Sequence, residues 1–279
     1  MRRERVADDI YVFTSELYAQ VTAGLVVTSA GAILIDTLVF PEEAKAIRQF
    51  VEQRLNTKVR YVINTHYHAD HTYGTCFFPE AIVVSSALCY EYLKTRGQVG
   101  LERTKQRTSA LQEVTLRLPT LVFESGGMEI RLGEKTLELR PSPGHSDDLI
   151  TVHIREDRII FASDTVMPVP YFVDGRYDDL VRSLENLRGG GYENVVQGHG
   201  EIILRGEVEQ KLEEDLQYLR CIREHVEHAI HQPDPQAYLD TIDIEKCGKS
   251  RIPLNGEVQK LHEANLKALL NHYQAMQKA

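Results

Sequence analysis

The stretch Thr65-His66-Tyr67-His68-Ala69-Asp70-His71 constrains this 279-residue chain more than any other. It places four potential metal ligands within six residues, directly after Val59 to Asn64, a run that reads as a buried strand. Side chains two apart on extended backbone share a face, so His66 and His68 can grip one ion. Asp70 and His71 follow once the chain has turned, so they point elsewhere. One natural reading is two ions side by side, one on the first two histidines and one on the Asp-His pair. Imidazole and carboxylate without thiolate suit zinc, and less exclusively iron or manganese.

Composition sets the frame around that stretch. Hydrophobic content of 42% and charged content of 26% are those of an ordinary globular protein, long enough for one large domain or two small ones. No apolar run approaches the length of a membrane span. Met1-Arg2-Arg3-Glu4-Arg5 leads straight into a strand-like stretch without the apolar core of a secretory signal, so a cytoplasmic location is expected. Cys76, Cys89, Cys221 and Cys247 form no C-x-x-C pair and are expected to be reduced and structural. The net charge of −9 discourages nucleic acid, which wants a basic footprint. It does not forbid an anionic substrate, because a dinuclear metal site is itself strongly positive.

Taken in order, Ile10 to Thr14 and Leu25 to Ser29 read as strands. Ala32 to Ile35 reads as a buried strand delivering Asp36 at its end. Pro41-Glu42-Glu43 opens a helix, with Ala44, Ile47, Val51 and Leu55 on one face. Residues 96 to 118 are polar and basic, with Arg103, Lys105, Arg107 and Arg117; they read as a solvated segment or as a lid over the site. From Leu121 the pattern is a glycine-punctuated meander ending at Pro143-Gly144-His145-Ser146. A hairpin follows, whose second strand ends at Ser163-Asp164-Thr165. A helix from Tyr177 to Leu187 and a short strand then lead into Gly198-His199-Gly200. Residues 32 to 66 and 159 to 199 echo each other: strand, Asp-Thr, proline loop, helix, strand, histidine. Two such halves facing each other would bring both acids and both histidine loops to one edge.

His145, Asp164 and His199 each follow a strand. With His66, His68, Asp70 and His71 they make a ligand count that fits two ions sharing a bridging carboxylate and a bridging water. Over residues 8 to 203 the chain resembles the metallo-β-lactamase superfamily. The resemblance rests on the Asp36 strand end, the H-x-H-x-D-H run, Gly144-His145-Ser146, Ser163-Asp164-Thr165 and Gly198-His199-Gly200, in the family's order. It implies an α/β fold, a four-layer αββα sandwich, with a C-terminal helical extension; the expected division is 1–232 for the sandwich and 233–279 for the extension. It assigns His66, His68 and His145 to a first metal and Asp70, His71 and His199 to a second. Asp164 would bridge them, and Asp36 would stand behind the ligands.

The resemblance further implies a dinuclear hydrolase, most simply with two zinc ions. A metal-bridging hydroxide would cleave a small ester, thioester, lactone or amide. Asp70 would also aim the nucleophile, and Tyr171, in the loop bordering the pocket, is a candidate donor to the substrate oxygen. Many true β-lactamases carry Cys or Ser where Asp164 stands, so the chain looks more like the branch with glyoxalase II and lactonases. The alternative on the same scaffold is a mononuclear iron-dependent persulfide dioxygenase.

Two departures from the family pattern stand out: Tyr73-Gly74 where Gly-Gly is usual, and Ser146-Asp147-Asp148 where Thr/Ser-Pro-Gly is usual. Asp147 and Asp148 are expected to repel anionic substrates. His225, His228 and His231 spread too widely around a helix to form a metal cluster. The leucines of the last helix, Val258 to Met276, are expected to pack on the long helix of residues 207 to 230 or on a second subunit, giving a homodimer. The expected partner is a small-molecule substrate, with no nucleic acid and no membrane.

Overall fold

The protein, a computed structural model, is described over residues 1–278. Seven strands form the first sheet in sequence order: β1 (Arg2–Ala7), β2 (Ile10–Thr14), β3 (Thr22–Thr28), β4 (Gly31–Ile35), β5 (Val59–Ile63), β6 (Ile82–Ser86) and β7 (Leu121–Phe123). The pairs up to β4 are antiparallel and those from β4 onward are parallel. Six strands form the second: β8 (Met128–Leu132), β9 (Lys135–Pro141), β10 (Ile150–Ile154), β11 (Ile159–Ser163), β12 (Asn194–Gln197) and β13 (Ile203–Leu204). There only β11 and β12 run parallel.

The apolar runs explain the layering. Ile33, Ile35, Ile63 and Val84 from one sheet meet Leu137, Leu139, Val152 and Phe161 from the other in a buried inner layer. The alternate residues, Leu34, Val62 and Val83, face outward and are covered by helix α1 (Pro41–Gln49) through Ala44 and Ile47. Proline at its first turn and Glu42 and Glu43 behind it start α1 as the sequence suggests. The outer face of the second sheet is covered in turn, which makes the four layers αββα.

The short helix α2 (Ala69–Thr72) carries Asp70 and His71 at the end of the metal stretch, and α3 (Ala87–Tyr92) follows β6. Residues 96–118 include helix α4 (Gln98–Lys105), docked through Leu101, Leu111 and Val114 onto Val39 and Tyr73. Arg117 donates to the carbonyls of Phe78 and Ala81, so part of this segment's basic charge is structural.

Helix α5 (Tyr177–Leu187) links β11 to β12 as α1 links β4 to β5. The echo in the sequence is therefore a repeated strand–helix–strand unit with parallel pairing. The long helix α6 (Val208–Ala229), the short α7 (Pro235–Leu239) and α8 (Val258–Lys278) complete the chain. Leu266, Leu269 and Leu270 of α8 enter one apolar cluster with Leu212, Leu219 and Ile222 of α6 and with Leu180 and Leu184 of α5. The leucines of the tail are thus covered within the chain.

The cysteine expectation needs correcting. Cys221 and Cys247 are joined in a disulfide with a Cα–Cα separation of 5.5 Å; Cys76 and Cys89 are free. The tail folds back along α6 and brings the two together, a contact that spacing along the chain does not announce. Helix α6 ends at Ala229, so His231 lies beyond it. His225 Nδ1 is within hydrogen-bond distance of the Tyr238 hydroxyl at 2.9 Å, and His228 lies against the Tyr238 ring. His225 does lie near Cys221 and Cys247, but His228 and His231 do not join it in a cluster. Among the described residues no helix is long and apolar enough to cross a membrane.

Candidate metal centre

All the predicted ligand residues meet at one edge of the sandwich. Donor atoms of His66, His68, His145 and Asp164 lie within 4.8 Å of one another, and so do those of Asp70, His71 and His199. In the first group, His68 Nδ1 is 3.0 Å from His66 Nε2 and 3.0 Å from His145 Nε2. Asp164 Oδ2 stands 3.1 Å from His145 Nε2 and 3.8 Å from His66 Nε2. In the second group, His199 Nε2 is 3.4 Å from Asp70 Oδ2, and His71 Nε2 is 3.8 Å from the same oxygen. Asp164 reaches this group too, with Oδ1 3.3 Å from His71 Nε2 and Oδ2 3.5 Å from His199 Nε2. Among these ligands, Asp164 is the one whose carboxylate faces both groups.

The outward nitrogen of each ring is held by a fixed partner. His71 Nδ1 is 2.8 Å from Asp36 Oδ2, His145 Nδ1 is 2.8 Å from the Tyr171 carbonyl, and His199 Nδ1 is 2.8 Å from the Ala19 carbonyl. His68 Nε2 is 3.1 Å from Asp174 Oδ2, and His66 Nδ1 is 3.1 Å from the Thr65 hydroxyl oxygen. The Thr65 hydroxyl donates to Asp36 at 2.7 Å, which leaves its oxygen free to accept from His66. With their protons committed outward, the inward nitrogens of His66, His68 and His145 present lone pairs to one another. Lone pairs crowded at about 3 Å repel unless a cation lies among them. His71 Nε2 and Asp164 Oδ1 are buried and have no hydrogen-bond partner among the described residues. Such orphaned groups in a site built of imidazole and carboxylate fit a divalent ion.

The electrostatics of the bare site follow from the same crowding. For His71, burial alone would favour the neutral ring, but the carboxylates of Asp164, Asp36 and Asp70 outweigh it and raise its pKa well above the ordinary value. His199 is raised for the same reason by Asp164 and Asp70. Burial dominates for His145, whose pKa falls to about 4, and for His66, which is also lowered well below the ordinary value. Asp164 is buried, yet the surrounding His71, His199 and His145 hold its carboxyl well below the usual carboxylate range.

Local backbone puts these groups in place. Asp36 and Ser163, at the ends of β4 and β11, both have positive φ, 57° and 47°. Ala19 and Gln20 do as well, 44° and 51°, in the loop that carries the carbonyl for His199. Left-handed backbone at non-glycine residues is costly and concentrates at functional sites. Gly198 is required by space: a Cβ there would fall 1.8 Å from Asp164 Oδ1. Gly74 has the same function against the carbonyl of Thr37, 2.1 Å from a notional Cβ, whereas Tyr73 beside it is buried in the cluster under α4. One glycine is therefore enough where the family usually has two.

Asp174 escaped sequence reading. It holds His68 and also accepts from the Tyr67 hydroxyl, with Arg96 Nη1 3.8 Å from its other oxygen. The only hint was an acid before glycine in the proline-marked loop. Arg96, half exposed, is the one basic residue of the 96–118 segment tied to the centre through Asp174 and Tyr67. Tyr171 packs its ring against His145, with centroids 5.8 Å apart, and contributes its carbonyl to that histidine. Asp148 is buried, with Oδ2 accepting from the Tyr67 backbone N–H at 2.8 Å. Asp147 stands 3.6 Å from Arg176 Nε. Asp148 Oδ2 thus braces the Tyr67 loop, while its Oδ1 has no partner among the described residues.

Comparison with known proteins agrees with this construction. The model of the metallo-beta-lactamase superfamily matches residues 18–199, and the chain belongs to that superfamily. It is similar to a beta-lactamase-like protein 2 homolog of Caenorhabditis elegans, 22% identical over 77% of this chain and 69% of that one. A mitochondrial persulfide dioxygenase of Mus musculus is 30% identical over 50% of this chain and 44% of its own length. A metallo-beta-lactamase family protein from Thermus thermophilus shares the fold at 17% identity, with a TM-score of 0.72 over 98% of this chain and 95% of that structure.

Proposed function

We propose that the protein is a dinuclear metal-dependent hydrolase acting on a small ester, thioester, lactone or amide. The observation that carries this reading is Asp164, whose two oxygens face both groups of histidines while Oδ1 lacks a partner among the described residues. His66, His68 and His145 would hold one divalent cation, and Asp70, His71 and His199 the other. Such a pair supplies an acidified water near neutral pH and polarises a carbonyl oxygen. Zinc suits these donors best, with iron or manganese as alternatives.

The chain's own residues complete the chemistry. Asp70 is partly exposed at the site, and its carboxylate can accept a hydrogen bond from an attacking water and so aim it. The rings of Tyr171 and Tyr67 stand beside the first group and give a substrate an aromatic wall. Tyr18 precedes Ala19, whose carbonyl holds His199; the charge of Asp70, then burial, raises its phenol pKa further above neutrality, so it stays protonated at neutral pH. A donor there can meet a leaving group or a carbonyl oxygen.

Similarity to a persulfide dioxygenase favours a second reading, an iron-dependent oxygenase acting on a sulfur substrate. One experiment separates them. Purified protein, reconstituted with zinc or with ferrous iron, is assayed against ester, thioester and lactone substrates, and for oxygen uptake with glutathione persulfide. Hydrolysis by the zinc form without oxygen uptake by either form is expected. Oxygen uptake by the iron form, with no hydrolysis in the panel, would overturn the hydrolase reading.

A further inference from the structure

The buried polar residues of α6 and α8 lead back to the metal centre. Tyr218, His262 and Asn265 are completely buried in an otherwise apolar cluster. Burying such groups costs stability unless every polar atom is paired, and here the pairing has a direction. His262 Nε2 is 3.0 Å from the Ile242 carbonyl and must donate to it. Burial lowers the pKa of His262, so the ring is neutral and its Nδ1 accepts; the Tyr218 hydroxyl, 3.1 Å away, therefore donates. The Tyr218 oxygen is left to accept from Asn265 Nδ2 at 3.1 Å.

Asn265 spends its other amide N–H and its carbonyl oxygen on the loop between β11 and α5. Its Nδ2 donates to the Pro170 carbonyl at 2.7 Å, and its Oδ1 accepts from the Phe172 N–H at 3.3 Å. The amide thus clamps the backbone on both sides of Tyr171. The Tyr171 carbonyl, between these two bonds, takes the Nδ1 proton of His145. The start of the same loop is also fixed: Lys211 donates to the Met167 carbonyl, and its partner Asp215 is shared with Lys249 of the tail.

We propose that Asn265 is a positioning residue for the first metal position, setting the tautomer and direction of His145 through the Tyr171 carbonyl. The inference rests on the reading of His66, His68 and His145 as metal ligands. It gives the C-terminal extension a selective task. His71 and His199 take their outward bonds from Asp36 and Ala19, in the N-terminal half, and are out of reach of this clamp.

The test titrates zinc into metal-free protein against a chelating indicator, resolving the two affinities, for wild type, Asn265→Leu and Tyr218→Phe. Each is repeated in a His145→Ala background. Asn265→Leu removes the clamp with similar volume, whereas Tyr218→Phe breaks the same buried network and leaves both loop bonds intact. The expected result is one zinc affinity weakened about tenfold by Asn265→Leu, the lower end of what loss of a partner around metal ligands costs, with the other unchanged. In the His145→Ala background Asn265→Leu should change neither affinity by more than about twofold, and Tyr218→Phe should leave wild-type affinities within the same margin. Unchanged affinities in Asn265→Leu, an equal loss without His145, or an equal loss in Tyr218→Phe would each overturn the proposal. If Asn265→Leu does not fold, Asn265→Ser, too short to reach both loop groups, is read by the same criteria. Wild-type protein that binds no zinc would overturn the ligand reading as well, and that failure shows before any substitution is made.

Discussion

The two strand–helix–strand units place an aspartate at nearly the same point and use it differently. In the first, β4 pairs parallel to β5 and Asp36 follows the strand directly. Its carboxylate turns inward along the sheet end, accepts from the Thr65 N–H and hydroxyl, and takes the Nδ1 proton of His71. In the second, β11 pairs parallel to β12 and Asp164 likewise follows the strand directly, but the left-handed backbone falls one residue earlier, at Ser163. Its carboxylate stands in the space among the histidines, opposite the notch left by Gly198. Asp36 is consumed by protein partners, while Asp164 keeps an oxygen without one among the described residues. The two strand ends differ in which residue takes the left-handed backbone, the acid itself at Asp36 and the residue before it at Asp164.

Breaking each acid should expose that difference. Asp164→Ala removes the carboxylate that faces both metal positions. Hydrolytic kcat should fall more than about a hundredfold, and the second zinc should be lost, because even partners outside the ligand shell cost about 10–100-fold. Retention of both ions and of activity would show that Asp164 does not bridge. Asp36→Asn is expected to act chiefly on the position of His71, which Asp36 holds directly, and less on that of His66, which it reaches only through Thr65. It keeps the shape but weakens the hold on His71, so zinc affinity at that position should drop about 10–100-fold, with the His66 and His145 position much less affected. Equal losses at both positions would place Asp36 in a general structural role.

The two positions should also differ in protons. In the metal-free site the neighbouring carboxylates raise the pKa values of His71 and His199 and favour their protonated rings, whereas burial lowers those of His66 and His145 and favours the neutral rings. Zinc must displace protons from the first pair, so affinity at that position should weaken as pH falls and binding should release protons. Calorimetry in buffers of different ionisation enthalpy reads the release directly; equal release at both positions would contradict the asymmetry. The smallest effect belongs to Asp147→Asn. This carboxylate is partly exposed and faces Arg176, so kcat/KM for charged and neutral esters should change by less than about twofold, as for a surface pair. A selective gain for the anionic ester would support the sequence-based expectation that this acid screens the substrate.

Much of this site was legible in the chain because its ligands follow strands. Short apolar runs marked β4, β5, β11 and β12, and one of the acids or histidines concerned follows each within three residues. What sequence could not supply were partners chosen by tertiary contact. Asp174 reaches His68 across 106 positions, and Ala19 offers only a backbone carbonyl to His199, so neither has a chemical signature of its own. Asp148 shows the converse. Its place beside His145 suggested a role toward substrate, but the backbone N–H of Tyr67 captures it in the folded chain. Asn265 and the Cys221–Cys247 bond depend on the tail folding back along α6.

The central claim is that Asp70, His71 and His199 form a second metal position joined to the first through Asp164. Its most direct test is the metal content of the protein, measured by elemental analysis as purified without added metal and again after zinc addition and desalting. Two ions per chain after zinc addition are predicted, falling to one in Asp164→Ala. A single tightly held ion in the wild-type protein, with no second ion taken up from zinc, would contradict it.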